Sequence, residues 1–280
     1  MIQILYVLCI VAASCSLMGS LLLQRESLMV ADAISHTILL GIVVAYYFVE
    51  DLSSPWLIVG ATFFGVLTVV AIELLVKTGR VANDAAIGLV FPFFFAIAVI
   101  IISKYYTNVH LDIDMVLLGQ VELSPLKRTE FMGITMPTAL FQGSIVLLIS
   151  TAFILATYNA LKIRLFDQVF ARTIGIKVNL LDFALMTLVS LTAVTSFESI
   201  GAILVIALMA APAMTARMLT NSFPKLLIGS VMVAIINCTI GYYIGYSLDT
   251  SISAMVAVVS FLMFMLVFIV MNVLRPKFTR

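Results

Sequence analysis

The chain has 280 residues, 63% hydrophobic and only 10% charged, with a formal net charge of +1 and a mean hydropathy of +1.22. Soluble domains carry about 25% charged residues, so a chain this apolar cannot cover itself in water and reads as an integral membrane protein. Without a polybasic stripe it has no use for nucleic acid, and Cys9, Cys15 and Cys238, which lie in apolar runs and form no CxxC pair, exclude a disulfide scaffold or a structural zinc site.

A helix needs roughly 20 apolar residues to cross a bilayer. Runs of that kind occur at about 1–24, 32–49, 56–76, 85–103, 138–161, 178–197, 200–219, 226–247 and 252–274. They predict an all-α, polytopic transmembrane bundle of eight or nine spans, forming one domain over 1–280. The first run has no basic residue before Arg25, so it reads as a retained helix and not as a cleaved secretory signal. The "FESI" break at 197–200 is tight enough for its neighbours to be two halves of one span, and "MVLLGQV" at 115–121 is too short to cross.

Short cytoplasmic loops are enriched in lysine and arginine. Alternating from an outside N-terminus places Arg25, Lys77, Arg80, Lys162, Arg164, Arg172, Lys177, Arg217, Lys225 and the "RPKFTR" tail inside. The other side receives Glu50, Asp51, His110, Asp112, Asp114, Glu122, Glu198 and Asp249, with Lys104, Lys127 and Arg128 as basic exceptions. The expected orientation is N-out, C-in.

"LMVADAISHTIL", residues 28–39, sets Asp32 and His36 four residues apart in an apolar run. On a helix those positions share one face, where a carboxylate oxygen and an imidazole nitrogen can converge on one cation. Mixed oxygen and nitrogen ligation suits first-row divalent metals. A carboxylate at mid-bilayer depth costs about 2.5–3.5 kcal/mol even on insertion scales, so such residues usually mark a pathway. The competing reading is an aspartate capping the helix at the interface. Two ligands do not fill a coordination sphere, and the rest must come from elsewhere in the chain, a partner or water.

Farther along, in "NDAAIGLVFPFFF", Gly88 and Pro92 interrupt an apolar helix. In "NVHLDIDMVLLG" the alternation of His110, Asp112 and Asp114 allows either an outer cation site or a docking surface for an extracytoplasmic protein. "FDQVFARTIGIKV", residues 166–178, is amphipathic, with Phe166, Val169, Phe170, Ile174 and Ile176 against Asp167, Gln168, Arg172 and Lys177. Such a segment lies at a lipid interface or docks into a partner's groove, and Gly175 is placed to end it. "SIGAILVIALMAAPAMTA", 199–216, carries the small residues that allow close helix approach. Gly241 and Gly245 form a GxxxG that serves internal packing or dimerisation equally well, and Glu73 and Glu198 sit near helix ends. No Walker A, HExxH or GxSxG motif occurs, so any ATP is bound by another chain.

Together "LMVADAISHTILLGI", "LFDQVFARTIGI" and "SIGAILVIALMAAPAMTA" resemble the membrane permeases of ABC importers for manganese, zinc or iron, over almost the whole chain. "NDAAIGLVFPFFFAIAVIIIS" and "NVHLDIDMVLLGQ" resemble the manganese-type branch. The resemblance implies a type II importer-like permease in the bacterial cytoplasmic membrane, with Asp32 and His36 as metal ligands. It makes 165–176 the ATPase-coupling segment, carried by Phe166, Asp167, Phe170, Ala171 and Gly175. Ala31 stands where such permeases often place a glycine before the aspartate.

The implied partners are cytoplasmic ABC ATPase subunits, an extracytoplasmic metal-binding protein, a second permease subunit and the lipid bilayer. No cofactor is expected beyond the transported ion, and no enzymatic activity in this chain. The rivals are a zinc or ferrous-iron importer, an importer of a larger metal chelate, an ion-gradient-driven secondary metal transporter and an intramembrane enzyme.

Overall fold

The computed structural model describes residues 2–51, 54–105, 121, 128–131 and 134–274. Among them, nine helices are long and apolar enough to cross a membrane. They are α1 (Ile2–Gln24), α2 (Met29–Val49), α3 (Trp56–Lys77), α4 (Asn83–Tyr105), α5 (Thr138–Phe166), α7 (Val178–Ile200), α8 (Ala202–Leu219), α9 (Phe223–Ser247) and α10 (Ile252–Leu274). A short helix, α6 (Gln168–Thr173), joins α5 to α7. The chain is a polytopic transmembrane bundle, and the two helices flanking "FESI" are separate spans broken only at Gly201. Gly201 has φ +84°, a conformation that side chains with a Cβ rarely adopt.

An antiparallel hairpin, β1 (Arg128–Phe131) with β2 (Ile134–Pro137), precedes α5. The sequence reading missed it, because four-residue strands are too short for period-two patterning to register.

α1 runs through the middle of the bundle, packed by α5, α8 and α9, while α2 and α3 form the closest antiparallel pair and α4 lies against α2. Lipid tails are as apolar as leucine, so association depends on close packing and on hydrogen bonds between helices. Both are present. A Cβ on Gly19 would run into the Met209 backbone of α8, and one on Gly41 would stand 2.5 Å from Ala61 Cα of α3. Ser20 Oγ donates to Ser230 Oγ at 2.7 Å, joining α1 to α9. A Cβ on Gly241 would come within 2.6 Å of Val256 Cα, and Gly245 faces Ile252 and Met255. The GxxxG face is therefore covered by α10 of the same chain.

Pro92 and Pro212 lie inside α4 and α8, which continue through them. The missing proline N–H leaves the carbonyl four residues back, at Gly88 and at Leu208, without its helical donor.

Candidate metal pathway and coupling segment

Asp32 and His36 lie in the first two turns of α2. Leu28 is the N-cap residue and no side chain caps the helix. Asp32 is therefore not the N-cap residue; it stands in the first turn, where a carboxylate also faces the positive end of the helix dipole. His36 Nε2 stands 3.7 Å from Asp32 Oδ1, with the side chains 34% and 37% exposed. First-row metal–ligand distances are about 2.0–2.2 Å, so one tetrahedral ion held by both atoms would set them roughly 3.4 Å apart. The observed gap is too long for a hydrogen bond and slightly wider than a shared ion needs. Among the described residues no third His, Cys, Asp or Glu joins the pair in a metal-binding cluster.

Helix register sets the height of the pair against α3. Gly41 abuts Gly60 and Ala61, and Ile34 reaches Gly65. Antiparallel packing then sets His36 level with the middle of α3 and Asp32 one turn closer to the end where α2 begins. α4 supplies the wall: the His36 ring stacks on Phe91 (centroids 5.2 Å apart, planes at 27°) and meets the edge of Phe95 at 5.9 Å. These rings flank the imidazole, whose Nε2 is on the side of Asp32. Sequence reading singled out Gly88 and Pro92 in this part of α4 and missed the contact, since nothing in "VFPFFF" shows which phenylalanine meets the histidine.

The segment 165–176 turns at the α6 end of the bundle. Asp167 caps α6, its Oδ1 accepting from Val169 N and Phe170 N, both at 2.9 Å. Gly175, at φ +86°, ends the turn, and Ile176 N donates back to Ala171 O at 3.0 Å. Ala171 is buried, whereas Phe166 is 93% exposed and Val169 and Phe170 are also exposed. A helix of six residues cannot hold itself in water. Its form rests on the cap, the Gly175 turn and the seat of Ala171, which together present the apolar side chains outward.

His110, Asp112 and Asp114 lie outside the described residues. Glu198 is exposed on an otherwise buried stretch of α7.

The sequence reading also missed a charged cluster near α6. Arg164 of α5 grips Asp182 of α7 with two bonds, Nε to Oδ1 at 2.8 Å and Nη2 to Oδ2 at 2.9 Å. Arg25, at the end of α1, donates to Glu73 of α3 and stands 4.0 Å from Asp182 Oδ2. Lys77 is 3.8 Å from the other Glu73 oxygen. Glu73, read from the sequence as a residue near a helix end, is an ion-pair partner. The only signal for the cluster was an aspartate inside the apolar run of α7.

The profile of the ABC 3 transport family matches residues 1–271. The zinc transport system membrane protein TroD of Treponema pallidum is 43% identical over 210 residues, 75% of this chain, which spans only 57% of that relative's length. The manganese transport system membrane protein MntD of Bacillus subtilis is 39% identical over 87% of this chain and 83% of its own. In the solved structure of PsaBC from Streptococcus pneumoniae in complex with Fab, the matching chain superposes with a TM-score of 0.78 at 25% identity, covering 95% of this chain and 90% of that one. With the family profile matched over nearly its whole length and the fold shared with the matching PsaBC chain, this chain belongs to the ABC 3 transport family as a membrane-spanning permease.

Proposed function

We propose that this chain is the single-domain permease subunit of an ATP-driven importer that takes up a divalent transition metal, manganese first, past Asp32 and His36. The observation that carries the reading is a carboxylate and an imidazole, each about one-third exposed, facing one another near the start of a helix of apolar neighbours, with His36 level with the middle of α3. Intramembrane ionisable groups cost enough to be rare outside substrate pathways. Two ligands suit transient holding, since a full protein cage would bind too tightly to release the ion.

The cytoplasmic membrane of a bacterium, with N-out and C-in topology, fits the side distribution of lysine and arginine. That orientation puts α6 in the cytoplasm, where Phe166, Val169 and Phe170 suit the groove of an ATPase subunit. Asp167, Ala171 and Gly175 hold the shape that such docking needs. An extracytoplasmic metal-binding protein would deliver the ion, with His110, Asp112 and Asp114 as candidate contacts, and a second permease subunit would complete the pathway. Zinc is the second reading, because a zinc-system protein is among the relatives and imidazole accepts zinc as readily. Ferrous iron fits the same ligands.

The test is cellular metal content by elemental mass spectrometry under metal limitation, in a strain lacking this chain and in strains restored with wild type or Asp32→Ala. Manganese alone should fall, and Asp32→Ala at normal membrane level should fail to restore it. A fall in zinc or iron instead would move the assignment to that metal. Full restoration by Asp32→Ala would make the pair structural and end the pathway reading.

A further inference from the structure

We propose that Arg25 and Asp182 are positioning residues that connect the coupling segment to the helix carrying Asp32 and His36. The inference rests on the reading of α6 as the ATPase-docking helix. Arg164 and Asp182 flank α6, and their bidentate pair closes the chain across it, with side chains only 10% and 11% exposed. A pull on α6 therefore reaches Asp182 directly and cannot be absorbed in a loose loop. The second oxygen of that carboxylate faces Arg25 at 4.0 Å. Arg25 closes α1, and only Glu26, Ser27 and Leu28 separate it from α2, seven residues ahead of Asp32.

Arg25 has two places to go. Its Nη2 is bonded to Glu73 of α3 while Asp182 of α7 stands beyond hydrogen-bond reach, and its Nη1 is buried with no hydrogen-bond partner among the described residues. The nitrogen 4.0 Å from Asp182 Oδ2 is the same Nη2 that bonds Glu73, so a short approach of Asp182 would set the two carboxylates in competition for it. Moving toward Asp182 would loosen the Glu73 contact, which Lys77 at 3.8 Å is placed to take over. Three cations share two carboxylates, so every partner gained is a partner given up. That competition makes a discrete exchange between two arrangements and not a graded drift. The exchange turns the α1–α2 corner relative to α3, and the height and facing of Asp32 and His36 change with it.

The experiment uses the whole transporter in proteoliposomes, this chain with its ATPase and metal-binding protein. Manganese(II) uptake, with zinc(II) in parallel, and ATP hydrolysis are measured in the same vesicles. Arg25→Gln and Asp182→Asn should leave hydrolysis within about twofold of wild type while metal moved per ATP falls about tenfold, a usual size for coupling between sites. Arg25→Lys, which keeps the charge, should recover most of that ratio. Should Asp182→Asn not assemble, the paired Arg164→Met/Asp182→Leu leaves no buried partner uncompensated and carries the same expectation.

Parallel loss of uptake and hydrolysis, or an unchanged ratio, overturns the proposal. Asp32→Asn, run alongside, separates the two readings. If it abolishes uptake while the Arg25 ratio is unchanged, only the positioning role fails. If it leaves uptake intact, the pathway reading fails, and the ratio still judges Arg25. Uptake that needs no ATP overturns both.

Discussion

Asp32 and His36 were legible as a pair because both stand on one helix, where a spacing of four is a statement about geometry. Their tuning was not legible, because it comes from α4. Aromatic pairs contribute about 0.5–1.5 kcal/mol beyond area burial, so Phe91→Leu should raise the half-saturating manganese concentration for uptake by roughly two- to tenfold. Maximal uptake should change little, and concentration-dependent uptake of radioactive manganese measures both. An unchanged half-saturation would mean that the stack does not orient the imidazole. Arg164 and Asp182 illustrate the opposite case. They are 18 residues apart on different helices, and nothing in either local sequence announces that they meet. Removing one member of a buried pair leaves the other uncompensated, at a cost of about 3–5 kcal/mol, which is why the conservative and paired replacements matter in testing them.

Elements followed the sequence closely where length and apolarity decide them. The nine apolar runs became nine helices, most with ends within three residues of the expected bounds, and α5 alone ran five residues past its expected end. Where two readings of one motif competed, contacts between elements chose. Gly241 and Gly245 permit a close approach whether the other helix belongs to this chain or to a second copy, and only packing against Val256 and Ile252 assigns them to α10. Gly241→Val should therefore lower the thermal stability of the detergent-solubilised chain by about 1–3 kcal/mol, the usual cost of overpacking. Unfolding monitored by thiol-reactive fluorescence checks this, and loss of a dimer with unchanged stability would return the motif to dimerisation. The segment 165–176 shows the same division. Amphipathicity and Gly175 were visible in sequence, but the exposure of Phe166 is a property of how α5 and α7 seat Ala171.

At the scale of the whole molecule, the ion cluster gathers the ends of α1, α3 and α5 and the start of α7 beside α6. Those are the ends that the lysine and arginine count expects on one side of the membrane, and the cluster is built from three of the counted residues, Arg25, Lys77 and Arg164. In a background with the three native cysteines replaced, a membrane-impermeant maleimide applied to sealed spheroplasts should label Ser251→Cys, in the turn between α9 and α10. Asn221→Cys, between α8 and α9, should react only after the membrane is opened. Both positions are exposed, so the reverse pattern would invert the topology and take α6 away from any cytoplasmic ATPase.

What the sequence by itself determined is whatever depends on neighbours along the chain. The nine apolar runs, the sidedness expected from charge, the face shared by Asp32 and His36, and the amphipathic segment all follow from hydropathy and from the helical repeat, which act locally, whereas the choice between eight and nine spans waited on the break at Gly201. Tertiary structure alone decided the height of Asp32 and His36 against α3, the ring against His36, the owner of the GxxxG face and the meeting of Arg25, Glu73, Arg164 and Asp182. These depend on which helices lie side by side and in what register. In a bundle whose helices are nearly all apolar, composition does not distinguish one neighbour from another. Small residues, hydrogen-bonding serines and a few buried charges make that choice, and they act only once the helices have come together.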